Sequence, residues 1–179
     1  MPSTPIPRFR PMREEDTSRP ELVDFRCGPG PWDEEVARFM REGRAWKAHR
    51  PPKSQTLLLC ADDGEGEILG FVTLVARQIG YPAYRSTERI PALLIDYLGV
   101  RSQHQGQQYG RRMLADMVAT AKHMGLKAVF LFVDVRNTKA IGIYERMGFR
   151  AFSDEHVFSE GTNSYRALVL TLQFDQSTM

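Results

Sequence analysis

The chain has 179 residues, 42% of them apolar, and a formal net charge of +2 at pH 7. This length suits one domain better than two and allows one well-buried core. No window approaches the roughly 18 apolar residues of a membrane span, and Met1–Glu15 has no apolar stretch typical of a secretion signal. We therefore expect a single domain over residues 1–179, located in the cytoplasm, with no membrane partner.

The chain has two cysteines, and their number and spacing limit the disulfides and metal sites that it could form. Cys27 and Cys60 lie far apart and fit no zinc-binding spacing, so no metal site is predicted. In a reducing compartment each is expected to be a small buried apolar side chain rather than half of a disulfide.

The first half of the chain predicts one helix and three strands. Prolines confine the first strand to a sheet edge, and Asp33 is the expected N-cap of the helix. The predicted elements are strand Ile6–Met12, helix Asp33–Gly43, strand Thr56–Ala61, hairpin turn Asp62–Glu67, strand Ile68–Ile79 and loop Gly80–Ile90.

The second half predicts strands that alternate with amphipathic helices. The elements are strand Pro91–Val100, helix Arg111–Met124, strand Lys127–Val135, helix Thr138–Met147 and strands Phe149–Val157 and Tyr165–Phe174. The near-continuous apolar run of Pro91–Val100 indicates burial on both faces. One apolar stripe of Arg111–Met124 is expected to pack into the core. This order predicts a mixed α/β or α+β sheet.

A phosphate site is predicted where strand Pro91–Val100 leads through a Gly-containing turn into helix Arg111–Met124. The free N–H groups at the start of such a helix point outward, with the positive end of the helix dipole behind them. Glycine also lets a pyrophosphate approach the backbone closely.

A second block, Asn137–Phe149, makes this signal specific. The residues that match a known motif pair are Leu98, Val100, Gln105, Gly106, Gly110, Asn137, Ala140, Tyr144, Gly148 and Phe149. With these residues the chain resembles the GNAT superfamily, the acetyl-CoA-dependent N-acetyltransferases. Gln108 departs from the pattern, because the family has glycine at this position.

The resemblance implies a mixed, mostly antiparallel sheet of about seven strands flanked by helices, with acetyl-CoA as cosubstrate. The pantetheine arm would pair with Leu98–Val100, where Gly99 suits a bulge and a backbone N–H would stabilise the oxyanion. Backbone N–H groups from Gly106 to Arg111 would hold the pyrophosphate. The implied coenzyme-binding residues are Leu98, Gly99, Val100, Gln105, Gly106, Gln107, Gln108, Tyr109, Gly110, Arg111 and Asn137.

The same resemblance suggests catalytic residues. Tyr144 would be the general acid, since a phenol with an ordinary pKa of about 10 is protonated at neutral pH and can donate to the leaving thiolate. The alternative is a tyrosine that only packs its ring under the sheet. Asp96 is the candidate general base, because burial in an apolar run would raise the pKa of its carboxyl, and an ion pair with a nearby arginine is its alternative. Asn137 would contact the pantetheine, cap its helix, or do both.

A narrower resemblance concerns the amine acceptor. Phe25-Arg26-Cys27-Gly28 with Trp32-Asp33 is similar to a segment of the tRNA-acetylating toxin branch of the superfamily. This branch implies aminoacyl-tRNA as the acceptor and an antitoxin as a partner, and a homodimer is also left open.

Charge is unevenly distributed along the chain. Between Arg77 and Arg112 six arginines face only Glu88 and Asp96, and such an excess fits the phosphates of tRNA. Alternatively, Arg101, Arg111 and Arg112 neutralise the coenzyme phosphates. Two other functions stay open: an acetyltransferase of small amines or protein N-termini, and a catalytically silent module that binds coenzyme A or a protein partner.

Overall fold

A computed structural model describes residues 6–30, 32–41, 55–80, 89–152, 156–160 and 163–174. The strands in this part of the chain are β1 (Pro7–Pro11), β2 (Phe25–Arg26), β3 (Gln55–Asp62), β4 (Ile68–Gly80), β5 (Arg89–Arg101), β6 (Ala128–Asp134), β7 (Arg150–Ala151), β8 (His156–Glu160) and β9 (Asn163–Gln173). The α-helices are α1 (Trp32–Arg41), α2 (Tyr109–His123) and α3 (Thr138–Arg146). Short 3-10 helices cover Glu14–Ser18, Pro20–Val23 and Ser102–His104.

The strands form a mixed sheet in the order β1-β3-β4-β5-β6-β9-β7, with β2 paired to β5 and β8 paired to β9. The β5 and β6 strands run parallel, and the β1–β3, β2–β5, β3–β4 and β6–β9 pairs run antiparallel. The predicted sheet of about seven strands flanked by helices is confirmed. The proline-containing β1 lies at one end of this order, as predicted.

Two compact units divide the chain. The first comprises Met1–Val75 and Asp96–Asp116, and the second comprises Ala76–Ile95 and Met117–Met179. Both β4 and β5 contribute residues to each unit. The single domain expected from length stays a prediction.

The apolar stripe of α2 is buried as its periodicity predicts. Met113, Leu114, Met117 and Ala121 are all fully buried, and Val118, predicted on the same stripe, is half-buried. The start of α1 differs from the prediction, because the helix begins at Trp32 and Asp33 lies within its first turn. There the Asp33 carboxylate accepts a hydrogen bond from the backbone N–H of Cys27 at 2.7 Å.

The predicted strand Phe149–Val157 is wrong, since two short strands replace it. In the register of β7 and β8 with β9, Ala151 faces Leu170 and His156 faces Ala167. Residues 153–155 lie outside the described part of the chain. Residues 81–88 of the predicted loop Gly80–Ile90 lie outside the described part of the chain.

A buried ion pair fixes the N-terminal segment of the first unit. Arg10 Nη1 and Nη2 donate to Asp16 Oδ2 and Oδ1 at 2.6 and 2.7 Å, and the two side chains are only 9% and 3% exposed. The backbone N–H of Arg13 also donates to Asp16 Oδ2, at 2.7 Å. Burial alone would raise the pKa of Asp16, but the hydrogen bonds from Arg10 and Arg13 outweigh it and lower that pKa below its ordinary value.

We expect Asp16→Asn to lower the free energy of unfolding by about 3 kcal/mol or more, because it leaves the buried Arg10 guanidinium without its counter-charge. Glu15→Gln is the matched control and should lose less than about 1 kcal/mol, because the Arg13–Glu15 pair is exposed. Denaturant unfolding measures both. The pKa of Asp16 is lower in the folded protein than its unfolded value of 3.8, so ionised Asp16 stabilises the fold at pH values above 3.8. The wild type should lose this stabilisation as the pH falls through the folded-state pKa of Asp16. Equal losses in the two variants would refute a stabilising role of the pair.

Candidate functional site

The junction predicted to bind phosphate lies in the first unit. After β5 ends at Arg101, the 3-10 helix Ser102–His104 follows, and α2 begins at Tyr109. The α2 helix thus begins two residues before the predicted Arg111. The predicted binding residues from Leu98 to Arg111 are brought together in this single segment.

The start of α2 packs on the end of β5. The side chains of Leu98 and Val100 pack against a buried cluster that includes Tyr109 and Met113 of α2. A Cβ atom added to Gly110 would lie 3.5 Å from Val100 Cγ2 and 3.7 Å from Leu98 Cδ2, an ordinary contact distance. The strand therefore fixes the position of the helix N-terminus.

Backbone donors are concentrated at this N-terminus. The N–H of Arg112 donates to the carbonyl of Gln108 at 3.0 Å. The N–H groups of Tyr109, Gly110 and Arg111 come before the first intrahelical bond and have no acceptor within the helix. The preceding residues Gln105, Gly106, Gln107 and Gln108 are exposed, as is Arg111. With the helix dipole behind these donors, the segment can bind an anion such as a pyrophosphate.

Gln108 has a left-handed backbone. Its φ is +65°, and the φ of Gly106 is +78°. Glycine adopts this region without penalty, whereas other L-residues incur about 1–2 kcal/mol. The residue that departs from the family pattern therefore keeps the backbone conformation that favours glycine.

Gln108→Gly should therefore raise the free energy of unfolding, by up to about 1 kcal/mol, because the relief of strain exceeds the roughly 0.5–1 kcal/mol of added glycine entropy. Gln107→Gly is the control and should lower that free energy, since Gln107 is not among the left-handed residues of the described chain. If the Gln108 side chain also crowds a bound pyrophosphate, Gln108→Gly should tighten acetyl-CoA binding about fivefold in calorimetry. A less stable Gln108→Gly variant would show that the side chain makes a stabilising contact.

Gly99 has a packing role that the sequence did not indicate. A Cβ atom at Gly99 would lie 2.4 Å from Phe71 Cε1 and 3.0 Å from Cys27 Sγ. The side of the strand without a Cβ is thus filled by the Phe71 ring. The predicted bulge at Gly99 and its role toward the coenzyme stay predictions. Cys60 is buried as predicted, whereas Cys27 is half-buried, and burial raises the pKa of both free thiols to about 12.

The middle of β5 lies between two strand pairings. The parallel register with β6 runs from Ala92 to Ile95, and the antiparallel register with β2 begins at Val100. Residues 96–99 lie between them. Val100 is opposite Arg26 of β2, and the pairing of the pantetheine arm with Leu98–Val100 stays a prediction.

Asp96 is exposed, so the prediction of a buried carboxylate is wrong. Burial of β5 on both faces covers residues 92–95 and ends where the register with β6 ends. The role of Asp96 as a general base stays a prediction, now without burial as its reason.

Arg101 does not provide a free charge for phosphate. Its side chain is 12% exposed, and its Nη1 donates to Glu67 Oε1 at 2.6 Å. Its Nε lies 3.7 Å from Asp24 Oδ2. The exposed Arg111 and Arg112 stay at the start of α2, where the guanidinium of Arg112 lies 5.8 Å from the centre of the Tyr109 ring.

Asn137 and Tyr144 lie in the second unit, at the two ends of α3. Asn137 Oδ1 accepts a hydrogen bond from the backbone N–H of Ala140 at 3.2 Å, so its predicted capping role is confirmed. Tyr144 is half-buried, and its ring centre lies 6.0 Å from that of Phe149. The roles of Asn137 and Tyr144 toward the coenzyme stay predictions.

Sequence reasoning missed Asp134, which shapes the turn before α3. Its buried carboxylate accepts hydrogen bonds from the backbone N–H of Arg136 at 2.9 Å and from the Arg136 guanidinium at 2.6 and 2.9 Å. Its carbonyl accepts from the N–H of Asn137 at 2.8 Å. An aspartate side chain often accepts a hydrogen bond from the backbone N–H two residues further along the chain, so an aspartate at this position is a sequence signal for such a turn.

The described residues contain neither a candidate metal site nor a membrane-spanning helix. In this part of the chain, no group of three or more His, Cys, Asp or Glu side chains could hold a metal ion. Among the described helices, none has the length and apolar character needed to cross a membrane.

The model of the Acetyltransferase (GNAT) family matches residues 17–149. The chain therefore belongs to this family. It is 31% identical over 93 residues to the mycothiol acetyltransferase of Paenarthrobacter aurescens, a match that covers 51% of this chain and 26% of that protein. It is 26% identical over 106 residues to the L-methionine sulfoximine/L-methionine sulfone acetyltransferase of Pseudomonas aeruginosa, covering 59% of this chain and 57% of that protein. The chain thus matches less than two thirds of each relative.

A solved structure has a similar fold over almost the whole chain. NAA60 of Arabidopsis thaliana in complex with a bisubstrate analogue has a TM-score of 0.69 and 17% identity, covering 95% of this chain and 100% of that chain. NAA60 in complex with acetyl-CoA has a TM-score of 0.62. At this identity the similarity shows the fold alone.

Proposed function

We propose that this chain is an N-acetyltransferase that moves the acetyl group of acetyl-CoA to a primary amine. The observation that carries the proposal is the start of α2, where three N–H groups without helical acceptors follow an exposed turn with left-handed Gly106 and Gln108. Family membership supports the same chemistry.

In this proposal each step has a candidate group in the chain. Backbone N–H groups from Gly106 to Arg111 bind the pyrophosphate. Residues Leu98–Val100 of β5 hold the pantetheine arm in an extended conformation, and the N–H of Leu98 or its neighbour stabilises the oxyanion. Asp96, the proposed general base, takes a proton from the amine as the amine attacks the thioester carbonyl. The tetrahedral intermediate collapses with cleavage of the C–S bond, and Tyr144 donates its phenolic proton to the departing thiolate and regains a proton from solvent.

A small amine is the acceptor that the comparisons favour. The relative from Pseudomonas aeruginosa is named for small amino-acid derivatives. The second candidate, aminoacyl-tRNA, is supported by exposed Arg77 and Arg89 in the second unit. The engagement of Arg101 by Glu67 and Asp24 removes one arginine from that argument. Arg85 lies outside the described residues, and an antitoxin or homodimer partner stays a prediction.

Labelled acetyl-CoA tests the function and the acceptor together. The chain is incubated with small primary amines, with a peptide N-terminus and with charged tRNA, and the labelled product is identified. Label in a small amine is expected. Label in aminoacyl-tRNA would instead establish the second candidate. Coenzyme binding without transfer to any acceptor would support the silent module and contradict the proposed activity.

If the chain binds tRNA, its affinity should fall steeply with salt, because binding releases counterions. Arg77→Gln and Arg89→Gln should each flatten the slope of log affinity against log salt by about one unit. Arg8→Gln, an exposed arginine in the first unit, should leave the slope unchanged. Equal slopes in all variants would exclude Arg77 and Arg89 as tRNA contacts.

A further inference from the structure

Glu67, the last residue before β4, is the centre of a side-chain cluster beside the turn that leads to α2. Its Oε1 accepts hydrogen bonds from Arg101 Nη1 at 2.6 Å and from Gln103 Nε2, and it lies 3.2 Å from His104 Nε2. All four residues belong to the first unit. One carboxylate oxygen therefore holds three side chains of one short segment.

These three side chains belong to the backbone that leads into the candidate pyrophosphate site. The side chains of Arg101 and His104 are only 12% and 10% exposed. The His104 ring lies edge-on to the ring of Tyr109, the first residue of α2, with ring centres 5.6 Å apart. Gln107 Nε2 donates to the carbonyl of Gln103 at 3.1 Å. Contacts thus link Glu67 to the start of the helix as well as to the turn.

Asp24 also holds this segment, through two hydrogen bonds from Ser102. Its carbonyl accepts from the N–H of Ser102 at 3.1 Å, and its Oδ1 accepts from Ser102 Oγ at 2.6 Å. With Glu67 removed, Asp24 would still hold Ser102 and lie 3.7 Å from Arg101 Nε, but Arg101 Nη1 would keep, among the described residues, only a long contact of 3.4 Å to the carbonyl of Ile68. A buried charged donor that loses its acceptor is destabilised where it lies and drives local rearrangement.

We propose that Glu67 is a positioning residue that holds residues 102–108 in the conformation required to bind the coenzyme pyrophosphate. The proposal rests on the proposed function. A negative carboxylate repels phosphate, so its contribution to binding is geometric: it fixes Arg101, Gln103 and His104 and does not itself attract the ligand. A loop already fixed in its binding conformation binds more tightly because less entropy is lost on binding.

The test compares two acetyl donors, acetyl-CoA and S-acetylpantetheine, which lacks the pyrophosphate. We expect Glu67→Ala to raise the KM for acetyl-CoA about tenfold with little change in kcat, and to leave the kinetics with S-acetylpantetheine unchanged. Glu67→Gln should recover part of the affinity, because its amide oxygen still accepts from Arg101. Glu65→Ala is the matched control, since Glu65 lies in the same turn but pairs with Arg10 and Arg13.

The outcomes separate the two proposals. A wild-type chain that neither binds nor uses acetyl-CoA would overturn the proposed function itself. If the wild type is active, two results for Glu67→Ala would overturn the positioning role alone. One is an equal loss of activity with acetyl-CoA and S-acetylpantetheine, and the other is no loss with either donor. If Glu67→Ala does not fold, calorimetry of Glu67→Gln with coenzyme A decides: weaker binding than Glu65→Ala supports the role, and equal binding refutes it.

Discussion

Tyr144→Phe is expected to lower turnover by about 10²-fold or more while acetyl-CoA still binds, because the variant removes only the proposed proton donor. The variant keeps the aromatic ring that lies near Phe149, so the C-terminal end of α3 should keep its structure. Without the phenol, the thiolate must leave without a proton, and the barrier to collapse of the tetrahedral intermediate rises. Steady-state kinetics with acetyl-CoA and the best amine acceptor measures the loss, and calorimetry measures binding.

Tyr165→Phe provides the matched control for this experiment. This variant also removes one tyrosine hydroxyl from the second unit, but Tyr165 lies on β9, outside both motif blocks. Its turnover should change by no more than about twofold. Full activity in Tyr144→Phe would assign Tyr144 to the packing role. Equal losses in both variants would indicate a general effect of hydroxyl removal on the second unit.

Gly106→Asp should weaken acetyl-CoA binding by about 10²-fold or more, whereas Gly106→Asn should stay close to the wild type. Both side chains tolerate the left-handed φ of +78° at this position. In the described part of the chain no heavy atom outside Gly106 and its two chain neighbours lies within 4 Å of an added Cβ, so a side chain begins in open space. The two variants therefore differ mainly in charge. At about 4 Å, a carboxylate and a phosphate oxygen repel by about 4 kcal/mol near a protein surface.

This pair tests the site better than a substitution at Gly110. A Cβ at Gly110 points toward Val100 and Leu98, so a carboxylate there would disturb apolar packing as well as binding. Calorimetry with acetyl-CoA at low and high salt measures the effect of Gly106→Asp, and added salt should reduce it. Equal affinities of the Asp and Asn variants would place the pyrophosphate elsewhere.

Local features of the sequence were sufficient for much of the fold. The 3.6-residue period of Met113, Leu114, Met117 and Ala121 predicted the buried face of α2, since helical packing depends on spacing along one segment. The two motif blocks identified the family, because the turn and helix residues within each block are close together in the sequence.

Only the tertiary structure decided which side chains near the site are engaged. Arg101 is held by Glu67, 34 residues away, and the Cβ side of Gly99 is filled by Phe71. Asp96 is exposed, one residue beyond the end of the register of β5 with β6 at Ile95. Counter-charges, packing partners and ladder ends come from segments distant in sequence, and local spacing carries no information about them. The sequence by itself therefore determined most of the elements and the family, and long-range contacts determined which residues are available to the ligand.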